Sequence, residues 1–275
     1  MFIYTALVQR AMEDMVRTVP ALRYIQPRRV TIVAGPRVCR TRNGNLAQCF
    51  ALRENEGEDV GYWYNPRSRR VVRVTPWTRR ENSRVVLHGV EMPYLIMLRL
   101  PRLLQHQPLE TFIHELIHIG PRFDGRMRRL RHGRRFEDIV RHCAQDWRRD
   151  GDPELVGALE SDYATLTSRW GTLVAESFGP PFVTPRLTPL ENPPPIASYP
   201  DFQRRRLIYD PATVEVVEAK WTPEDVPAQL TEKDLVYRVY TPESASRISA
   251  AAVHASCRLL PASARQEAAN HRVQE

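Results

Sequence analysis

Thr111-Phe112-Ile113-His114-Glu115-Leu116-Ile117-His118-Ile119-Gly120 is the stretch that decides how this chain is read. Its centre is H-E-x-x-H, and that spacing has a physical basis. Residues four apart on a helix lie one above the other, so His114 and His118 present two imidazoles to a single ion. Glu115 sits beside them, within reach of a proton on a water held by that ion. Thr111, His114, Glu115 and His118 make one polar stripe. Leu109, Phe112, Ile113, Leu116, Ile117 and Ile119 make the rest apolar, so the helix should run through the middle of a domain with only that stripe facing a cleft. Pro108 suits a first helical turn and Gly120-Pro121 suits the stop. The competing explanation is a buried amphipathic helix that carries two histidines by chance. The apolar setting argues against it, because His and Glu are normally kept out of buried helices.

A chain of 275 residues has room for one large domain, or a medium one with an appendage, and buries a real core. Its hydrophobic fraction of 42% is ordinary for a globular protein. No segment approaches the roughly 20 apolar residues of a membrane span. The N-terminal run from Met1 to Val19 lacks a basic start and carries Glu13 and Asp14. It reads as an amphipathic helix and not a signal peptide, so a cytoplasmic location and no membrane partner are expected. Cys39, Cys49, Cys143 and Cys257 show no C-x-x-C pairing, which argues against a zinc ribbon or a dense disulfide framework. The net charge is +8, and only two of the 40 basic residues are lysine, Lys220 and Lys233. Such a surface attracts nucleic acid or other polyanions, but the lack of lysine everywhere fits a compositional habit equally well.

Residues 2–18 read as a helix, with Ile3, Leu7, Met12, Met15 and Val16 at near-helical spacing. Arg29–Ala34 is strand-like, and a turn around Asn43-Gly44-Asn45 leads to a second strand at Leu46–Leu52, together a hairpin pattern. Residues 54–82 are polar, with one further strand at Arg70–Val74. Val85–His88 and Tyr94–Leu100 are also strand-like. Tyr94–Leu100 is the candidate for an edge strand bordering the cleft and pairing with an extended substrate. After the turn-rich Pro121–Gly125, a second helix is expected to carry Arg126–Arg135 and run on through His142. Glu154–Phe178 reads as another helix, burying Leu155, Leu159, Tyr163, Leu166, Trp170 and Leu173. Between Pro180 and Pro200, eight of 21 residues are proline, a composition suited to a linker or an extended arm. Arg206–Tyr209, Thr213–Lys220 and Leu235–Tyr240 then suggest a small β-rich unit, followed by a helix over Ser244–Leu260 and a frayed end. The expected organisation is α+β: a domain over 1–178, a Pro-rich linker over 179–200 and a small C-terminal accessory region over 201–275.

Two histidines do not complete a catalytic zinc site, which takes three protein ligands and keeps the fourth position for water. Three candidates follow the motif. His132 lies in Arg131-His132-Gly133-Arg134-Arg135-Phe136. Asp124 stands ten residues after His114, where one zinc-binding pattern places its last ligand, although Pro121 occupies the position that pattern gives to glycine. Glu137 lies where a second helix would bring a carboxylate. His106 and His142 read as surface residues or as groups supporting the ligands from behind, and Arg122 and Arg126 as surface charges.

His114-Glu115-x-x-His118, followed after thirteen residues by His132-Gly133-x-x-Phe136, resembles the SprT-like and related phage-type zinc metallopeptidases. The likeness is specific over about twenty-five residues and loose over the first 150, and it does not extend beyond them. It implies a zincin-like metallopeptidase domain built from an N-terminal helix, a small sheet, the H-E-x-x-H helix and a ligand helix. It also implies His114, His118 and His132 as ligands of one Zn2+, Glu115 as catalytic acid and base, and Phe136 as a packing residue behind the site. Many of those proteins carry a cysteine zinc ribbon after the catalytic domain, which this chain lacks.

The expected function is zinc-dependent hydrolysis of a protein or peptide substrate, with Glu115 as general base towards water and then general acid towards the leaving amine. The alternative is a basic nucleic-acid-associated module with a structural or degenerate metal site. Its support is Arg122–Arg149, where ten arginines face four acidic residues and non-specific DNA contact is the expectation. The few aromatic residues there do not support base reading.

Overall fold

Apolar residues at helical spacing along Tyr4–Thr18 (α1) bury Tyr4, Val8, Ala11, Met12 and Met15 on one face. The computed structural model describes residues 1–35, 45–54, 56–106, 108–128, 130–179, 185–218, 227–241 and 258–259. The fold is mixed α and β, and the chain divides into two compact units. One comprises Met1–Glu54, Val85–Phe182 and Thr231–Glu275; the other comprises Asn55–Arg84 and Val183–Leu230. This division cuts the chain at other places than 178 and 200, because Asn55–Arg84 leaves the first expected domain to join the Pro-rich segment.

In the first unit, Tyr94–Leu98 (β8) is the centre of a three-stranded sheet, parallel to Val30–Ala34 (β2) and antiparallel to Ala47–Ala51 (β3). All five residues of β8 are buried, as a strand flanked on both sides requires. The hairpin expected of β2 and β3 does not form, since β8 inserts between them; most of the Asn43-Gly44-Asn45 turn lies outside the described residues. Among the described residues the edges of this sheet are therefore β2 and β3, and Tyr94–Leu98, expected at an edge, lies between them. Arg84–Leu87 (β6) pairs with Val90–Met92 (β7) as an antiparallel hairpin. A second sheet joins Leu173–Phe178 (β9) to Phe2–Ile3 (β1) and to Leu235–Tyr240 (β13), and β13 in turn to Arg258–Leu259 (β14). Ser177 Oγ on β9 donates to the Ala34 carbonyl on β2 at 2.8 Å.

Three helical expectations change. The helix after the motif starts only at Arg134 and runs to Asp150 (α3), so residues 126–128 and 130–133 are not helical. Glu154–Phe178 is two short helices, Pro153–Glu160 (α4) and Tyr163–Trp170 (α5), followed by strand β9. Local chemistry explains the break: Asp152 and Asp162 side chains cap α4 and α5, and Gly171 at φ +83° ends α5. Leu235–Tyr240 pairs with β9 in place of a separate C-terminal β unit. Of the helix expected over Ser244–Leu260, the described pair Arg258–Leu259 is strand; the remainder beyond Thr241, like the last dozen residues, lies outside the described residues.

In the second unit, Val71–Asn82 (β5) pairs with Gly57–Tyr64 (β4) and Pro185–Pro189 (β10), both antiparallel, and with Glu215–Val216 (β11), parallel. Gln229–Leu230 (β12) is a further short strand. Part of the Pro-rich stretch is thus β-structure, at an edge position where proline is tolerated. Val60, Val71, Val74, Trp77 and Phe202, the last from Pro200–Arg205 (α6), form its core. Tyr199 donates to Asp59 at 2.6 Å, and Tyr62 donates to Asp201. Among the described residues, no helix is long and apolar enough to cross a membrane.

A buried carboxylate ties α1 to α3 and α4. Asp14 accepts from Trp147 Nε1 at 2.8 Å and from the Asp152 amide at 2.8 Å, and pairs with Arg17. A Cβ at Gly151 would lie 2.4 Å from Trp147 Nε1, so this corner requires glycine. Burial works against ionisation of Asp14, but the Asp152 amide, the indole and Arg17 together hold its pKa below the ordinary 3.8. Its contribution is therefore complete above that ordinary value and lost as the pH falls through the lowered one. Asp14→Ala should cost about 2–4 kcal/mol by urea unfolding at pH 7, and the gap to wild type should shrink in acid. An unchanged unfolding midpoint at pH 7 counts against this role.

Candidate metal centre

Pro108–Ile117 (α2) packs against β3, α3 and α4. Phe112, Ile113, Leu116 and Ile117 are buried on these neighbours, which leaves Thr111, His114, Glu115 and His118 on a cavity of about 630 Å³. The last turn tightens: His118 N donates to Glu115 O at 3.2 Å and Ile119 N to Leu116 O at 3.1 Å. Tyr24 Oη donates to the Ile119 carbonyl at 3.1 Å, satisfying one of the acceptors left beyond the helix end.

The chain then reverses. Gly120 passes so close to the returning strand that a Cβ there would stand 2.6 Å from the Arg126 carbonyl. Tyr94 Oη donates to that carbonyl at 2.8 Å and accepts from the Gly125 amide at 3.1 Å, so a residue of β8 staples the loop shut. Ile119 and Met127 bridge, and the Arg128 amide donates to the His118 carbonyl at 2.8 Å. From there, four residues suffice to bring His132 over the motif.

His118 Nε2 lies 3.2 Å from His114 Nε2 and 3.0 Å from His132 Nε2, and all three ligand atoms fall within 4.8 Å of one another. Nitrogens held about 2.0–2.1 Å from a tetrahedral ion stand roughly 3.3 Å apart, so the separations from His118 suit a shared metal ion. Phe136, at the start of α3 and buried, sets its ring centroid 4.7, 5.4 and 4.9 Å from those of His114, His118 and His132. It packs against all three imidazoles and limits their rotation.

Burial first, then the neighbouring imidazoles His118 and His132, lowers His114 to about 4. His118 is lowered from the ordinary 6.5 by burial and by His132. Both rings are therefore neutral at pH 7, with lone pairs available to a cation. Glu115 is only 9% exposed, and burial pushes its carboxyl up to about 7 against the lowering effect of the Cys49 amide. A divalent cation among the imidazoles favours the carboxylate and draws that value down.

Of the three candidates for the third ligand, His132 joins the pair. Asp124 turns back on its own loop, Oδ1 accepting from the Arg126 amide at 3.2 Å. Glu137 stands on the cavity wall, outside the cluster of ligand atoms. His142 is exposed on α3, its Nδ1 2.6 Å from the Asp138 carbonyl, and Arg122 and Arg126 are exposed as expected. Sequence reasoning missed the Cys49 main-chain amide, which donates to Glu115 Oε2 at 2.7 Å. It also missed the Tyr94 and Tyr24 hydroxyls, for which the sequence carries no local signal.

The chain matches no protein-family model, no curated protein and no solved structure.

The purified protein should carry one equivalent of zinc by elemental analysis. His132→Ala should weaken zinc binding by more than about 100-fold, while Asp124→Ala and Glu137→Ala keep it. Loss of the metal from Glu137→Ala, with retention by His132→Ala, would reassign the third ligand.

Proposed function

We propose that the protein is a zinc-dependent metallopeptidase with a zincin-like catalytic unit akin to the SprT-like enzymes. The observation that carries this reading is the convergence of three imidazole nitrogens, His118 Nε2 lying 3.2 Å from His114 Nε2 and 3.0 Å from His132 Nε2, beside the buried carboxylate of Glu115. Further support comes from the open cavity and from β3, an edge strand that lines it through Ala47, Gln48 and Cys49. An extended peptide is the natural complement of a strand edge.

His114, His118 and His132 would hold a Zn2+, which would supply Lewis acidity to acidify a water and polarise a carbonyl. Glu115 takes a proton from the attacking water as its oxygen bonds to the scissile carbonyl carbon. Glu115 then returns that proton to the amide nitrogen as the C–N bond breaks, leaving a carboxylate and an amine. Phe136 holds the imidazoles, and the apolar side of α2 keeps bulk water from the back of the site.

A basic nucleic-acid-associated module draws less support. Arg141 pairs with Asp138, Arg148 with Glu160 and Glu110, and Arg149 with Asp146 and Asp150, so much of the positive charge of α3 is already matched.

Glu115→Gln should keep zinc and the wild-type fold yet lower kcat on an unfolded protein substrate by about 10²–10⁴-fold. A chelator should abolish wild-type hydrolysis and added zinc restore it. Equal turnover by Glu115→Gln and wild type would remove the mechanism.

A further inference from the structure

Cys49 lies at the centre of β3, opposite Ile96 of β8. Main-chain direction alternates along such a strand, and the flanking bonds set its phase. Arg99 N donates to the Leu46 carbonyl at 2.8 Å and Leu52 N donates to the Pro93 carbonyl at 2.9 Å, so the even-numbered residues turn their main chains towards β8. Ala47, Cys49 and Ala51 turn theirs to the open side. An amide on the open side of an edge strand ordinarily bonds water. That of Cys49 instead reaches Glu115 Oε2 at 2.7 Å, the shorter end of the hydrogen-bond range. Among the described residues it is the one hydrogen-bond donor to Glu115.

We propose that the Cys49 main-chain N–H is a positioning group for Glu115, anchoring Oε2 and leaving Oε1 to exchange a proton with the attacking water. A glutamate has three rotatable bonds and sits here on an open cavity. One short bond to a strand fixes the carboxylate without consuming its second oxygen, since a carboxylate accepts on both. The donor belongs to the backbone of the sheet, so its direction does not depend on a rotamer. The consequence for turnover rests on the metallopeptidase reading; the anchoring contact itself does not.

Two measurements on the full-length protein test this. With cysteine labelled selectively with ¹⁵N, amide hydrogen exchange at Cys49 should be at least about tenfold faster in Glu115→Ala than in wild type, with Cys143, inside α3, unchanged. Equal Cys49 rates in the two proteins overturn the proposal. Replacing the residue 49 amide by an ester removes the N–H without adding a side chain to the cavity. In that protein kcat should fall about 100-fold, while KM and zinc content stay at wild-type values. An ester protein with wild-type kcat overturns the proposal as well. The exchange comparison needs no turnover, so it separates failure of this inference from failure of the peptidase reading.

Discussion

The reversal of the chain after α2 is the constraint on which the site depends. Two imidazoles on one helix face are a local matter, but a third nitrogen must arrive from elsewhere in the chain. It arrives because residues 120–128 fold back along the helix end: Gly120 lies against the Arg126 carbonyl, Tyr94 bonds both sides of the loop and Arg128 bonds the His118 carbonyl. A side chain at Gly120 would push the returning strand away, and His132 with it. The fold thus spends a buried tyrosine on β8 and a glycine to convert a pair of ligands into a triad.

Keeping two histidines and a glutamate on an otherwise apolar helix is costly, because each loses hydration. The protein offsets this by neutrality and by pairing. Burial keeps His114 and His118 uncharged, and the Cys49 amide supplies Glu115 with a strong partner. Phe136 then fills the space behind the rings with hydrocarbon. The result is a set of lone pairs directed to one point and a carboxylate that stays close to them. A cation at that point would relieve the cost of holding them there.

The rest of the first unit secures the parts that carry these groups. Asp14 fastens α1 to the α3–α4 corner, and β8 holds β3 in place as the wall of the cavity. The second unit is assembled from two separated stretches around β5, with carboxylates that accept from tyrosines binding α6 and the segment before it to β4. Proline-rich sequence there is not spacer alone, because an edge strand has no use for the amides proline lacks.

Much was legible in the sequence where the governing distances are short. The H-E-x-x-H spacing, the start of α2 at Pro108, the first helix and strands β2, β3 and β8 all follow from periods of four or two residues and from the chemistry of caps. The breaks at Asp162 and Gly171 were of the same local kind, but the apolar spacing over Glu154–Phe178 masked them. What only the tertiary structure decided was which elements became neighbours. Asn43-Gly44 favours a hairpin, yet β8 takes the place between β2 and β3, because a fully apolar strand must be covered on both sides and edges. His132, Asp124 and Glu137 were all candidates by residue type, with His132 favoured by its likeness to the SprT-like pattern, and the folded-back loop brings His132 to the pair. A main-chain amide such as that of Cys49 has no sequence signature, since every residue but proline has one. Spacing along the chain determines which side chains share a helix face; packing between distant segments determines which of them meet.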